Sequence, residues 1–343
     1  MKYDCQTKSN RENMKKGLSI IAILLFLTSC KDAKDTFVLS GSVGKSNQIL
    51  VVTEASDWYG KVGDNLREFL GKLIVGLPQP ETTFGVTQIA PKGFSSMMNK
   101  YRNILIVQVG EKESFRVQND FYAKPQTIVY VTAPNKESLN TLLDKHKKEI
   151  VKIFRDSDIK HLQDSFYDKK IDDSKYITLA KLGLTLTIPE GYRGVEDDGE
   201  FFWMRQYLMS GIAQGDGVNN ILVYSVPLTE EFDLDVNNSI IMNRNFFGEK
   251  YIPGSKEGMF MITEAAIPPE TIEVVLDDKQ AFETRGKWEV KNDFMAGPFL
   301  NYSVIDKKNN RIIVVEGFTY APSVNKRDFV FELEAIAKSL KIK

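Results

Sequence analysis

An alternation of short apolar runs and amphipathic segments, from residue 48 to residue 167, limits the folds open to this chain. The run QILVVTE begins at Gln48, and three similar runs, FGVTQI, NILIVQV and QTIVYVTAP, follow it. Their length, β-branched content and flanking turn residues predict buried strands. Segments with a period of 3.6 residues stand between and after them and predict helices. Buried strands that alternate with helices predict an α/β region, in which helices flank a sheet.

Two helices of this region have recognisable starts. Asp57 is expected to cap the first helix, which should run to about Ile74 with its apolar residues on one face. Asn135 is expected to cap a longer helix, which either continues or breaks near Ser157 on its way to Tyr167. The α/β domain is therefore predicted to comprise residues 47–170.

The second half of the chain is richer in strands. Segments such as EFFWMRQ, NILVYSVPL and FLNYSVIDKKNNRIIVVEGF have strand composition, and turn residues near 277–279 and 307–310 predict two hairpins. One helix is expected over about residues 234–247, and another closes the chain from Lys326. We therefore predict that the α/β half is followed by an α+β half with a mainly antiparallel sheet, over residues 175–343.

A basic pair, an apolar run and a cysteine stand in that order near the start of the chain. Lys15 and Lys16 precede about eleven mostly apolar residues, too few to span a bilayer as a helix but typical of a signal peptide. The sequence Leu27-Thr28-Ser29-Cys30 resembles the bacterial lipobox, which implies cleavage before Cys30 and acylation of that residue. The alternatives are an ordinary signal peptide that contains a cysteine, or a short buried helix.

This interpretation divides the first part of the chain into three segments. Residues 14–29 are the predicted lipoprotein signal peptide, and the small, polar residues 30–46 are the predicted tether. Residues 1–13 are too polar and acidic for the start of a short signal peptide. We expect that translation begins at Met14 and that the preceding residues are a misassigned start.

Charge, cysteine content and histidine content argue against several kinds of chemistry. The 45 Lys and Arg residues are balanced by 46 Asp and Glu residues, so there is no basic excess for nucleic acid. The two cysteines are Cys5 and Cys30, and the expected processing leaves neither for a disulfide. If the long helix is continuous, the two histidines, His146 and His161, lie about 22 Å apart on it, too far to share a metal. We therefore expect no cofactor and no metal.

The remaining candidate chemistry is that of carboxylates or lysines. Glu283 and Arg285 stand two residues apart on a predicted strand and therefore share a face, and Glu316 lies on the following hairpin. Two carboxylates across a cleft are the minimum for glycoside hydrolysis, so these three residues are the candidate catalytic residues of a hydrolase. The simpler alternative is an ion pair between Glu283 and Arg285 on a sheet face, with Trp288 and Phe299 in the core.

Two sets of phrases resemble an uncharacterised family of lipoproteins from the Bacteroidota, the domain of unknown function DUF4837. The first set includes SNQILVVTE, RNILIV and KPQTIVYV, and the second includes IPEGY, FFWMR and ETRGKWEVKNDFMAGPF. The resemblance implies a lipid-anchored protein of the cell envelope, at the outer membrane, and transfers no activity and no functional residue.

These observations favour a non-enzymatic binding or scaffolding module that is held at the membrane through Cys30. Its expected partner is an envelope protein or a glycan, and the periplasmic and surface faces of the membrane both stay open. The alternative is a carboxylate-dependent hydrolase that acts on glycan or peptidoglycan.

Overall fold

A computed structural model of the protein describes residues 38–208, 217–322 and 324–343. The expected start at Met14, the signal peptide, Cys30 and the first part of the tether lie outside these residues. Gly41–Lys343 forms one compact unit. In the part of the chain that is described, none of the helices combines the length and the apolar character needed to cross a membrane.

The first half contains a mixed sheet of five strands. The strands are β1 (Gln48–Val52), β2 (Gly85–Ile89), β3 (Asn103–Val109), β4 (Ser114–Asn119) and β5 (Thr127–Ala133). Their order is β2-β1-β3-β5-β4, and all neighbours are parallel except β4, which runs antiparallel at the edge. The central strands are apolar on both faces because both faces are covered.

Helices cover one face of this sheet. They are α1 (Ala55–Trp58), α2 (Lys61–Leu70) and α3 (Lys136–Tyr167). The single helix expected from Asp57 to Ile74 is wrong, because Gly60 adopts an extended conformation that divides it and α2 ends at Leu70. The expected cap of α3 is confirmed, since the side chain of Asn135 accepts a hydrogen bond from the backbone N of Ser138 at 2.9 Å. The helix then continues without a break to Tyr167.

The second half is built on an antiparallel sheet. Its helices are α4 (Ile177–Leu182), α5 (Glu230–Leu234), α6 (Val236–Tyr251) and α7 (Arg327–Ala337). Its strands are β6 (Leu184–Thr185), β7 (Arg193–Asp197), β8 (Phe201–Leu208), β9 (Gly217–Pro227), β10 (Met261–Thr263), β11 (Glu270–Leu276), β12 (Lys279–Val290), β13 (Ala296–Asp306), β14 (Arg311–Tyr320) and β15 (Lys341–Ile342).

The large sheet has the order β10-β12-β13-β14-β9-β8-β7, with β11 also paired to β12. Both predicted hairpins are present, β11–β12 around Asp277 and Asp278 and β13–β14 around Asn310, and all three residues have positive φ. The predicted fold class, an α/β half followed by an α+β half with a mainly antiparallel sheet, is confirmed.

The two faces of the large sheet carry separate cores. One face packs against α7, α4 and the final third of α3, and the other packs against α5 and α6. Gly317 of β14 allows α7 to approach closely, because a Cβ atom there would lie 2.6 Å from the Cβ of Leu333. The earlier part of α3 packs against the first sheet through residues such as Leu143 and Phe154. One helix therefore serves the cores of both halves.

Candidate functional site

A cleft of about 350 Å³ lies where the two halves meet. Four segments supply its walls: the loop from α2 to β2, the middle of α3, and the neighbouring strands β11 and β12. The residues that line it are Lys72, Leu73, Ile74, Val75, Thr83, Val151, Arg155, Glu270, Ile272, Glu283 and Arg285. Two of the three candidate residues from the sequence, Glu283 and Arg285, therefore face this cleft.

The exposed rim of the cleft carries two apolar side chains, Leu73 and Ile272, and two charged ones, Lys72 and Glu270. Leu73 on the α2–β2 loop retains 54% of its accessible surface, and Ile272 on β11 retains 56%. The loop reaches the large sheet because Gly76, with a φ of +84°, lies against β12, where a Cβ atom would come within 2.8 Å of the carbonyl oxygen of Gly286. A glycine is required at this close approach.

The floor of the cleft is charged. Nε of Arg285 donates to Oε1 of Glu283 at 2.6 Å, and the hydroxyl of Tyr302 donates to the other carboxylate oxygen of Glu283 at 2.7 Å. Glu283 and Tyr302 are cross-strand partners on β12 and β13, so the sheet register places them side by side. This is the ion pair on a sheet face that the simpler alternative describes.

Glu334 of α7 links this pair to α3. Its Oε2 accepts hydrogen bonds from Nη2 of Arg285, at 2.7 Å, and from Nη2 of Arg155, and its Oε1 accepts from Nζ of Lys338 at 2.8 Å. Burial alone would raise the pKa of Glu334, but the charges of Arg155, Lys338 and Arg285 outweigh burial and hold that pKa well below its usual value. Glu334 therefore stays ionised inside the protein.

The charge cluster comprises Arg155, Arg285, Lys338, Glu283 and Glu334, so three positive groups face two negative ones. When all five are ionised, the cluster carries a net charge of about +1. The side chain of Arg285 retains 15% of its accessible surface, and no group among the described residues accepts a hydrogen bond from its Nη1. The floor can therefore offer a donor and a positive charge to a ligand.

Glu316 lies on the opposite face of the same sheet. It is paired across β13 and β14 with Asn301, the neighbour of Tyr302, and successive residues of a strand point to opposite faces. The expectation that Glu283 and Glu316 share a cleft is therefore corrected. Glu316 is fully buried, accepts from Nε of Arg244 at 2.9 Å and accepts from Nδ2 of Asn301 at 3.0 Å.

The other residues singled out in the sequence take part in packing within the protein. His146 and His161 lie fifteen residues apart on the unbroken α3; His146 stacks on Phe115 at 4.1 Å, and His161 is half-buried. Trp288 and Phe299 belong to the core on the α6 face. Among residues 38–208, 217–322 and 324–343, no three His, Cys, Asp or Glu side chains converge as they would around a metal ion.

Four charged residues of these networks were not anticipated: Arg155, Arg244, Glu334 and Lys338. Two of them have a signal in the sequence, because a charge interrupts an apolar helical stripe. Glu334 follows Val330 by four residues, and Arg244 follows Ile240 by four, so each shares the buried face of its helix. Arg155 has no such signal, because it lies beside the stripe of α3 and meets Glu334 from 179 residues away.

Family models match both halves of this two-part fold. Residues 170–339 match the model described as domain of unknown function DUF4837, and residues 42–167 match the one described as domain of unknown function DUF8532. The match to the DUF4837 model spans just under half of the chain, its C-terminal part, and confirms that the phrases of this part resemble that domain. No curated protein matches the chain.

Three solved structures resemble this chain distantly. The Ran-binding protein Mog1p of Saccharomyces cerevisiae is 10% identical, with a TM-score of 0.31 over 47% of this chain and 90% of Mog1p. LpqN of Mycobacterium tuberculosis, described as involved in cell envelope biogenesis, is 10% identical, with a TM-score of 0.28 over 46% of this chain and 82% of LpqN. A protein of Bacteroides thetaiotaomicron VPI-5482 is 9% identical, with a TM-score of 0.23 over 47% of this chain and 45% of that protein. Scores this low carry no argument about function.

Proposed function

We propose that this protein is a lipid-anchored binding module of the cell envelope, whose ligand occupies the cleft between its two halves. The anchor is inferred from the lipobox-like sequence that ends at Cys30. The binding role is inferred from the cleft, and one observation carries it: the partly exposed, positively charged Arg285 lies beneath the exposed apolar side chains of Leu73 and Ile272. An apolar pocket with a few convergent polar groups is the usual form of a ligand site.

The composition of the cleft indicates the kind of ligand. Leu73, Ile74, Val75 and Ile272 suit an apolar portion, and the charge cluster, with its net positive charge, suits a carboxylate, phosphate or sulfate group. Arginine binds such anions well because its planar guanidinium presents paired donors. The ligand is therefore proposed to be an anion with an apolar part, either free or displayed by an envelope molecule.

Photo-crosslinking in living cells tests the binding role. The photoreactive residue p-benzoylphenylalanine replaces Ile272 or Leu73 on the rim, and as a control it replaces Phe294, which is fully exposed outside the cleft. Adducts that form at the rim positions and not at Phe294 are expected, and mass spectrometry identifies them. Equal adducts at rim and control positions, or none at the rim, would contradict a ligand in the cleft.

A second variant tests the proposed anion contact. Arg285→Gln in the Ile272 crosslinking background removes the charge and should abolish the adduct. Arg116→Gln, at an exposed arginine on the edge strand β4, is the matched control and should leave it intact. Circular dichroism checks that both variants are folded. An adduct that survives Arg285→Gln would argue against anion recognition by this residue.

Cell fractionation tests the anchor independently of the cleft. Cys30→Ser removes the atom that is proposed to carry the acyl chain, and two or more acyl chains are what hold a protein stably on a membrane. The variant should move from the membrane pellet to the supernatant. Retention of Cys30→Ser in the pellet after a high-salt wash would contradict lipid anchoring.

A further inference from the structure

A second surface lies on the face of the first sheet that α2 and α3 do not cover. Two loops form it, residues 90–102 and residues 120–126, and the chain enters beside them at Gly41. The surface carries exposed apolar side chains at its edge: Met97 retains 76% of its accessible surface and Phe121 retains 48%. Val43 is also exposed beside them. We call these three side chains and their surroundings the entry face.

The entry face is a fixed piece of structure, because buried polar groups join its loops. Nε2 of Gln126 donates to the carbonyl oxygens of Asn99 and Tyr101, at 2.6 and 2.7 Å, and Oε1 of Gln126 accepts from the backbone N of Tyr122 at 2.8 Å. Segment 41–44 is held against the same loops, since the backbone N of Val43 donates to Lys100 O at 2.9 Å. Met97 and Phe121 are therefore displayed on a rigid support.

The charge around the entry face is positive. Segments 41–46, 90–102 and 120–126 contain four lysines against one acidic residue, Asp120; the lysines are Lys45, Lys92, Lys100 and Lys124. A second exposed apolar patch, formed by Leu234, Met242 and Phe246, adjoins the acidic residues Glu230, Glu231 and Asp235. Apolar side chains with lysines suit an anionic membrane surface, and apolar side chains with carboxylates do not.

The place where the chain joins the folded part, at Gly41, indicates what binds to the entry face. Cys30 precedes Gly41 by eleven residues, which reach about 40 Å when fully extended and about half of that on average as a coil. An acylated Cys30 therefore holds a bilayer close to Gly41, which lies at this positive, apolar surface and not at the acidic one. We infer that the entry face docks on the anionic surface of the membrane in which the protein is anchored, with Met97 and Phe121 at the level of the lipid headgroups.

This inference rests on the proposed lipid anchor, and the experiment separates the two. The environment-sensitive fluorophore NBD is attached to a single introduced cysteine, Met97→Cys or Phe121→Cys. The label reacts at that position because the native cysteines, Cys5 and Cys30, are removed or acylated in the proposed mature protein. Met242→Cys and Phe294→Cys are the matched controls. The lipidated protein is reconstituted into vesicles of phosphatidylethanolamine and phosphatidylglycerol, with and without brominated acyl chains, and purified by flotation.

Probes at residues 97 and 121 should emit at shorter wavelength than the controls and should be quenched by the brominated lipids. Reversing the charge of the lysines, with Lys92→Glu and Lys124→Glu together, should reduce that quenching in anionic vesicles. If the protein floats but all four probes behave alike, the docking surface is refuted and the anchor stands. If the protein does not float, the anchor is refuted, and docking that depends on it is refuted as well.

Discussion

Arg155 of α3 and Glu334 of α7, which are 179 residues apart in the chain, form a buried ion pair that joins the two halves of the protein. Arg285 of β12 adds a third element to the same carboxylate. The contact is long-range, almost fully shielded from water and shared between three segments. The stability of the junction should therefore depend on it more than on any surface ion pair.

Replacing Glu334 by Gln should strongly destabilise the protein. The substitution leaves Arg155 and Arg285 buried without their shared counter-charge, and removing one partner of a buried pair costs about 3–5 kcal/mol. The free energy of unfolding, measured with urea, checks this prediction. Asp164→Asn, which breaks an exposed ion pair with Lys160, is the control and should change little. A Glu334→Gln variant as stable as the control would contradict the assigned role of the pair.

The destabilisation by Glu334→Gln should depend on pH. The pKa of Glu334 is lower in the folded protein than its ordinary value of 4.5, so its ionised form stabilises the fold at higher pH. That contribution is complete above about pH 5 and is lost as the pH falls through the folded-state pKa. The difference in unfolding free energy between wild type and variant should therefore narrow from pH 6 toward pH 3. A constant difference across this range would count against an ionised Glu334.

Glu81→Ala should loosen the first turn of α7. The carboxylate of Glu81 accepts from the backbone N of Lys326 at 2.6 Å and from the backbone N of Arg327 at 3.0 Å, so it caps a helix that begins some 245 residues later. Loss of a helix cap costs about 0.5–2 kcal/mol. Hydrogen exchange of the α7 amides should accelerate and the unfolding free energy should fall. The exposed Glu113→Ala is the control, and identical exchange in the two variants would exclude the capping role.

Gly317→Ala should separate α7 from β14. The added Cβ atom would meet the Cβ of Leu333 at 2.6 Å, and both atoms belong to packed elements that have little freedom to move. Overpacking of this kind costs about 1–3 kcal/mol. Gly41→Ala is the matched control, because nothing lies within 4 Å of the corresponding position. Equal melting temperatures of the two variants would show that the contact is not tight.

The fold was predictable from the sequence because its signals are local. The cap at Asn135, the period of α3 and the turn residues at Asp277 and Asp278 depend on neighbours a few residues away. The division of the first helix at Gly60 was missed, because an apolar stripe can continue across a break between two helices on the same face.

The candidate site was only half predictable. Glu283 and Arg285 were singled out as a pair on one strand face, and they do face the cleft. Their partners Arg155 and Glu334 come from other helices, and which carboxylate meets which guanidinium is decided by the packing of the two halves. The error over Glu316 has the same origin. Whether Glu316 and Glu283 lie on the same face of the sheet depends on the register of β12, β13 and β14, and a shift of one residue would move Glu316 to the other face.

The continuity of α3 has a practical consequence for anyone who divides this protein at its family boundary. A fragment that starts at residue 170 would lack Ile159 and Phe166, which belong to the core beneath α7, and a fragment that ends at residue 167 would leave the same two side chains without a sheet to cover them. Neither piece is complete as an expression target. The two domains of unknown function should therefore be expressed and purified together, and they should unfold in a single cooperative transition.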